Sequence, residues 1–499
     1  MRFWQPVLFV FFFILFLFRG IAVQDPDFGW HIQAGTYILQ HGVAYTDPFS
    51  YSMPSYPFVD HEWLTNVLWS RIFNLFGIVP LLILSSGLAA GCLLLLYFVS
   101  EKKWTVMPLF IIGVTFFDFV GVRTQVITWF FLALLLCILF QKKLWDKWRF
   151  FLPILFLLWA NLHGGYGIGL GVLGIVLGGR VLEERKKIKG TLLVLLLCAG
   201  ATLINPYGIR LWWEFFMQLT DSQLRWSITE WYPAFYFTNI ATWGYLILSV
   251  MLVLRYWKKY SWTELVLYFF LLFEGMSSMR NIPIWILVSF FMTMKGFSLM
   301  YQEAAKHPDG SRRFRFAYTI YCIILVIIFL LQTGMFFYGV SVLKESPTQY
   351  PEGAVAYLHK HLPQQQIFSS YDWGGYLIWK FPERKVFIDG RMPSWRWHAD
   401  IKGESNYAFD EYKSVMTGQT QFAVFATKYH ITTMLVPKAD ILKPPDKFLG
   451  FTINKSNFLQ KFFFSLNSFY LVVGEVRQMG WKEVYSDDTT VIYQKPVNP

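Results

Sequence analysis

The residues best able to do chemistry stand close together near the start of the chain. Asp25-Pro-Asp27-Phe-Gly-Trp-His31 is followed by Asp47-Pro-Phe-Ser50 and then by Asp60-His61-Glu62-Trp63. Only 15% of the residues are charged, so this gathering of carboxylates and imidazoles is out of proportion to the composition. Asp27 could take a proton from a hydroxyl as general base. Asp25 or Glu62 would then be the second carboxylate, with Asp60 and His61 as polar contacts to whatever is bound there. The competing reading is structural: Asp27 as a helix N-cap kept ionised by the helix dipole, and Asp47 as the start of an Asx-type turn.

Further polar groups occur singly between apolar runs. They are Arg123 and Gln125 in Gly121-Val-Arg-Thr-Gln, Asn161 and His163 in Trp159-Ala-Asn-Leu-His-Gly-Gly, Glu230 before Trp231, and Arg280 in Ser278-Met-Arg-Asn. A guanidinium at a helix end can grip a phosphate with two parallel hydrogen bonds; its bland alternative is snorkelling to a lipid headgroup. His163 is a candidate contact to phosphate or sugar, or a helix-end hydrogen bond. Glu230 could position an acceptor or cap a helix.

The elements that must hold these groups follow from the composition. The 499 residues are 55% hydrophobic and 20% aromatic, with a mean hydropathy of +0.39. That composition predicts a polytopic α-helical membrane protein of about eleven spans. They fall near Pro6–Ile21, Ile78–Phe98, Trp104–Val120, Val126–Phe140, Phe150–Leu162, Gly167–Leu182, Thr191–Ile204, Thr242–Leu254, Thr263–Met276, Ile282–Met294 and Phe316–Tyr338. The net charge of +12 does not point to nucleic acid, because the basic residues sit in short clusters between the spans. Arg2, Lys102 and Lys103, Lys142 to Arg149, Arg185 to Lys189, Arg255 to Lys259, and Lys306 to Arg315 fall on one side; the other holds Arg19, Arg71, Arg123, Arg210, Arg225 and Arg280. By the positive-inside bias the N-terminus is cytoplasmic and everything after Tyr338 is outside, in a multi-pass plasma or inner membrane protein. The N-terminal apolar run lacks a small-x-small site and reads as an uncleaved helix. Cys92, Cys137, Cys198 and Cys322 lie in apolar runs and read as neither disulfides nor metal ligands.

Two domains are expected. Residues 1–340 form the transmembrane part, in which 24–77 are a first outer loop with amphipathic helices lying on the membrane. One runs from Phe28 to His41 with Gly42 as its stop, and one from His61 to Phe76 with Gly77 as its stop. Residues 341–499 form an outer α/β domain with a helix opened by Pro351 and strands at Gln366–Ser369, Lys385–Ile388, Thr432–Val436 and Trp481–Tyr485. A hairpin through Asp487-Asp488 leads into Thr490–Tyr493. Tyr371-Asp372-Trp-Gly-Gly-Tyr376 and Phe387-Ile-Asp-Gly-Arg391 each follow a strand, where ligand loops sit in α/β folds; Gly turns packed on aromatics are the alternative.

These features together resemble the GT-C membrane glycosyltransferases, which include protein O-mannosyltransferases, aminoarabinose transferases of lipid A and oligosaccharyltransferases. The wording Asp-Pro-Asp-Phe-x-Trp-His, Asp-Pro-Phe-Ser, His-Glu-Trp-Leu, Ala-Asn-Leu-His-Gly-Gly, Asn-Pro-Tyr-Gly and Asp-Trp-Gly-Gly-Tyr-Leu looks like a group of bacterial members of that type. The resemblance spans nearly the whole chain. It implies a polyprenyl-phosphate-linked sugar as donor, a glycan, lipid or protein acceptor, and inversion at the sugar carbon. It also implies an acidic catalytic base just after the first span. The usual opening there is Asp-Glu; here Asp27 is followed by Phe28. The second carboxylate is therefore Asp25 or comes from elsewhere, and a divalent cation stays an open cofactor. Tyr371-Asp372-Trp-Gly resembles, loosely, the acceptor-holding element of oligosaccharyltransferases. Two rivals remain: a transporter or flippase of a polyprenyl-linked lipid, for which Asp118 and Glu274 would be the groups to test, and a non-catalytic membrane-anchored surface protein.

Overall fold

The computed structural model describes residues 4–100, 104–183, 188–221, 224–341, 350–363, 365–398, 401–441, 447–448, 451–452 and 469–496. Arg2, Lys102, Lys103, Arg185, Lys186 and Lys187 of the basic clusters lie outside them. The chain divides into two compact units. The first comprises residues 1–24, 72–216 and 228–347, and the second residues 25–71, 217–227 and 348–499. This differs from the division expected from sequence, since the acidic segment after the first helix belongs to the same unit as the C-terminal residues.

The first unit is helical. A helix stands at every apolar run: Trp4–Ala22, Val79–Val99, Val106–Phe119, Gln125–Phe140, Leu152–Leu162, Tyr166–Glu183, Ile188–Ala201, Ile240–Arg255, Trp262–Ser277, Ile282–Ala304 and Gly310–Ser341. Three stretches among the described residues are long and apolar enough to cross a membrane by themselves: Val79–Val99, Met279–Ala304 and Gly310–Ser341. Gln125–Phe140 and Lys142–Leu162 qualify as a pair bent by 108°, the break falling at Gln141 ahead of the lysine-rich helix Lys142–Trp148. On Gly310–Ser341 the only buried residues are Phe314, Leu325 and Phe329, while Ile323, Ile327, Leu331 and Met335 are exposed. A helix of this length that is apolar on its exposed side has the composition of a membrane-crossing segment.

Where apolar burial cannot tell one helix from another, polar side chains pin the contacts. Ser249 Oγ lies 2.8 Å from both Thr293 Oγ1 and the Tyr268 hydroxyl, and Thr115 Oγ1 lies 2.8 Å from Thr242 Oγ1. Trp262–Ser277 starts with a reciprocal capping box between Ser261 and Glu264, and Lys295 Nζ donates to the same Glu264 at 2.7 Å.

The second unit carries a four-stranded mixed sheet, in spatial order Gln366–Ser369, Ile431–Pro437, Thr490–Gln494, Lys482–Ser486. The first two strands are parallel and the other pairs antiparallel. Ile431–Pro437 is central and nearly all buried, as its run of apolar residues requires; the edge strand opens with Lys482 and Glu483, which discourage further pairing. Asp487 closes the hairpin by accepting from the Thr489 and Thr490 amides at 2.8 and 2.7 Å. The strand expected at Lys385–Ile388 is not formed. Its partner is the short stretch after Asp47, and the pairing stops at one parallel bridge, Ser50 to Val386.

Two helices of the acidic segment pack into this unit. Phe28–His41 and Trp63–Phe76 form where expected, with Gly42 and Gly77 at φ of 84° and 72° as left-handed stops. The first turns of Phe28–His41 are buried on every side, from Phe28 to Ile32 and at Ala34 and Gly35. That is more than one face of a helix lying on a membrane would bury. Two glycines explain it. A Cβ on Gly29 would lie 2.3 Å from the Gly375 carbonyl oxygen, and one on Gly35 would lie 1.9 Å from that of Asn66. Backbones therefore approach this helix closely on two sides. Trp30 and Ala34 join Leu358, Ile367, Trp373, Leu377, Leu435 and Ile492 in one core.

Candidate active-site residues in the two units

Asp25 and Asp27, two residues apart, have different surroundings. Asp25 is buried; its Oδ1 accepts the Asp27 amide at 2.8 Å, and its carbonyl accepts the Phe28 amide at 3.1 Å and the Tyr350 hydroxyl at 3.1 Å. Asp25 thus ties the chain into the start of Phe28–His41. Asp27 occupies the N-cap position, but its side chain makes no cap hydrogen bond, which corrects the expectation that its carboxylate caps the helix. Instead the half-buried carboxylate rests on Gly390, where a Cβ would come 2.0 Å from Oδ1.

Beside it lies the guanidinium of Arg391, the last residue of the loop Phe387-Ile-Asp-Gly-Arg391. The Arg391 side chain is 3% exposed. Its Nε and Nη2 donate to the two oxygens of Asp389, both at 2.7 Å, and Nη1 donates to Asp47 at 2.8 Å. The rings of Trp30, Phe49, Phe58 and Trp395 surround it at 5.1 to 5.9 Å. Burial opposes its charge, but Asp389 and Asp47 outweigh this and push its pKa further up. Asp47 meanwhile accepts the Phe49 and Ser50 amides at 3.2 and 2.9 Å, so the Asx turn forms as expected and serves the ion cluster as well. The only sequence signal for Arg391 was its place in a glycine loop flanked by aromatics.

Asp60 and Glu62 belong to a third group. The Asp60 oxygens accept the Glu62 amide at 3.0 Å and Asn66 Nδ2 at 2.8 Å. Asn66 Oδ1 lies 2.7 Å from His31 Nδ1, so the ring donates to Asn66, and Asn66 donates to Asp60. Burial drives the His31 pKa down to about 3, so the ring is neutral and its 3.5 Å approach to Glu62 is not an ion pair. Burial likewise pushes the Asp60 carboxyl up to about 6, against the pull of Asn66, the Glu62 amide and Arg391. Glu62 is buried, with His61 Nε2 3.7 Å away and His61 itself partly exposed. Asp372 is exposed in the turn Tyr371–Trp373 that follows the strand Gln366–Ser369.

The first unit gathers the remaining candidates into two groups. Arg123 Nη2 pairs with Glu230 Oε1, while the Arg280 guanidinium lies 4.4 Å from the Trp231 ring centroid. The turns carrying them are joined by the Met279 amide donating to the Tyr232 carbonyl at 2.8 Å. Burial disfavours the Glu230 charge, yet Arg123, Arg280 and hydrogen bonds from Arg123 and Gln125 hold its pKa below the usual carboxylate range. Arg19 adds a cation: its guanidinium lies 4.7 Å from the Phe336 centroid, its charged neighbours are Arg123 and Asp118, and its buried Nη1 has no hydrogen-bond partner among the described residues. Asp118, one of the groups singled out for a transporter, accepts Asn239 Nδ2 at 2.6 Å.

In the second group, His163 Nδ1 accepts the Gly165 amide at 2.9 Å and faces Thr128 Oγ1 at 2.8 Å, which in turn accepts Trp159 Nε1 at 2.9 Å. The Gly165 amide donating to Nδ1 places the single hydrogen of an uncharged ring on Nε2. Asn161 Nδ2 donates to the Leu157 and Ile204 carbonyls at 2.8 and 2.9 Å, closing helix ends. Among the described residues no three His, Cys, Asp or Glu side chains are grouped so as to hold a metal ion; Asp25, Asp47 and Asp60 are engaged with backbone amides, Arg391 and Asn66.

The chain is similar to solved structures of an oligosaccharyltransferase, among them two of the same enzyme. The apo form of the Archaeoglobus fulgidus oligosaccharyltransferase superposes with a TM-score of 0.57 at 13% identity, covering 88% of this chain and 70% of that one. The same enzyme tethered through a disulfide bond to an acceptor peptide containing the NVT sequon gives 0.57 at 12% identity, covering 88% and 69%. At that identity the likeness is one of fold. No protein-family model and no curated protein matches the chain.

Proposed function

We propose that this chain is an integral-membrane glycosyltransferase of the GT-C type. It would move a sugar from a polyprenyl-phosphate donor to an acceptor hydroxyl on the outer face of the membrane, with inversion. The observation that carries this reading is the oligosaccharyltransferase-like fold extending over 88% of the chain; the carboxylate that follows the first helix supports it.

Asp27 takes the proton of the acceptor hydroxyl. The oxygen attacks the sugar C1, and the C1–O bond to the phosphate breaks with its electron pair leaving on the polyprenyl phosphate. That leaving group is good without protonation and needs only charge stabilisation. Arg123 and Arg280 are the proposed phosphate ligands, with Glu230 holding Arg123 when no substrate is bound. Asp25 acts through the Asp27 backbone. Asp60, Glu62 and His61 are secondary candidates, as are Gln125, Asn161, His163 and Asp372.

The test is purified protein in lipid nanodiscs with a radiolabelled polyprenyl-phosphate sugar and a mixed glycan, lipid and peptide acceptor pool. Turnover by wild type and its loss in Asp27→Asn, with an unchanged melting temperature, is the expected result. Binding without turnover would favour a flippase. Turnover retained by Asp27→Asn would remove Asp27 from the mechanism.

A further inference from the structure

Three glycines, the neighbours Gly374 and Gly375 and, further along, Gly390, line the close contacts made near the start of helix Phe28–His41. A Cβ on Gly375 would lie 2.5 Å from the Pro26 carbonyl oxygen. One on Gly374 would lie 2.3 Å from the Ile388 carbonyl oxygen and 2.7 Å from the Asp389 Cα. One on Gly390 would lie 2.0 Å from Asp27 Oδ1. Segments 25–30, 373–376 and 388–391 are thus in backbone contact, and the Asp27 carboxylate rests on the one residue type that leaves it room. The loop beneath it cannot drift, because Arg391 binds Asp389 with two hydrogen bonds and Asp47 with a third. A buried guanidinium held by a fork of this kind fixes angle as well as distance.

We propose that the loop Asp389–Arg391 is the positioning element for Asp27, with Gly390 as its contact surface and Arg391 as its clamp. This rests on Asp27 being the base of the proposed transfer. The C-terminal residues are then part of the catalytic apparatus rather than an accessory, since they set where the proton acceptor stands.

The two glycines offer a way to separate position from stability. In Gly390→Ala the new Cβ meets the far end of a flexible side chain, so the carboxylate swings away and the fold is kept. In Gly374→Ala the new Cβ meets backbone, so the loop itself must shift and the melting temperature should fall. Displacing a catalytic group by about 1 Å costs on the order of 100-fold in rate. The expected result for Gly390→Ala is a kcat lower by about that factor, an unchanged KM for the donor, an unchanged melting temperature, and an acid limb of the pH–rate profile that moves. Asp27→Asn combined with Gly390→Ala should be no slower than Asp27→Asn alone. Wild-type kcat in Gly390→Ala, in the same preparation where Asp27→Asn is dead, would overturn the positioning role and leave the base assignment standing. A Gly390→Ala loss that adds in full to that of Asp27→Asn would overturn it too. Transfer by Asp27→Asn would instead sink the functional reading beneath it.

Discussion

Asp60 gives the sharpest stability prediction. Its carboxyl is 3% exposed, and burial moves it from an ordinary value of 3.8 to about 6. Below pH ~4 the group is neutral in the folded and unfolded chain alike. Between pH ~4 and ~6 the unfolded chain ionises while the folded chain keeps its proton, so stability falls as pH rises. The slope is ~1.4 kcal/mol per pH unit, and the loss is complete near pH 7 at ~3 kcal/mol. Asp60→Asn cannot ionise. Its amide disturbs the Asn66 hydrogen bond by an amount that does not depend on pH, so that offset cancels when two pH values are compared. The gap between the variant and wild type should therefore shift by ~3 kcal/mol in favour of the variant from pH 4 to pH 7.5. In a unit of this size that corresponds to ~6–12 °C of melting temperature. The assay is thermal unfolding of the full chain in detergent at both pH values, with hydrogen exchange across Trp63–Phe76 to localise the change. The same gap at both pH values would refute the claim that Asp60 is ionised at a cost.

Other perturbations separate contacts from empty space. Gly35→Ala drives a Cβ to 1.9 Å from the Asn66 carbonyl oxygen and 2.6 Å from Ser70 Cβ, so it should cost ~1–3 kcal/mol and expose the segment to protease. Gly87→Ala, whose Cβ would have no neighbour within 4 Å among the described residues, lies in the helix Val79–Val99 and should instead raise the melting point slightly. Glu230→Gln removes the charge facing Arg123 and Arg280. Under the proposed reading it should bind a polyprenyl phosphate several-fold more tightly at low salt, and titration by thermophoresis would show it; weaker binding would remove the two arginines as phosphate ligands.

Much of the molecule was legible because it depends on neighbours a few residues away. The apolar runs fix where the helices lie, Gly42 and Gly77 fix where two of them stop, and Asp47 and Asp487 fix turns through amides within three residues. Lys385–Ile388, expected as a strand, has the right residue types and forms only an isolated bridge to Ser50; what it lacks is a partner long enough to build a ladder, and sequence does not record partners.

What the sequence alone determined is therefore the set of local conformations and the concentration of carboxylates after the first helix. Only tertiary structure decided that Asp25 serves the backbone while Asp27 faces Gly390, and that Arg391 reaches across more than three hundred residues to Asp47. It also decided that residues 25–71 fold with the C-terminal unit. Hydrophobic periodicity says that a face will be buried; which surface buries it depends on fit between backbones, here set by glycines whose importance lies in the side chain they do not have.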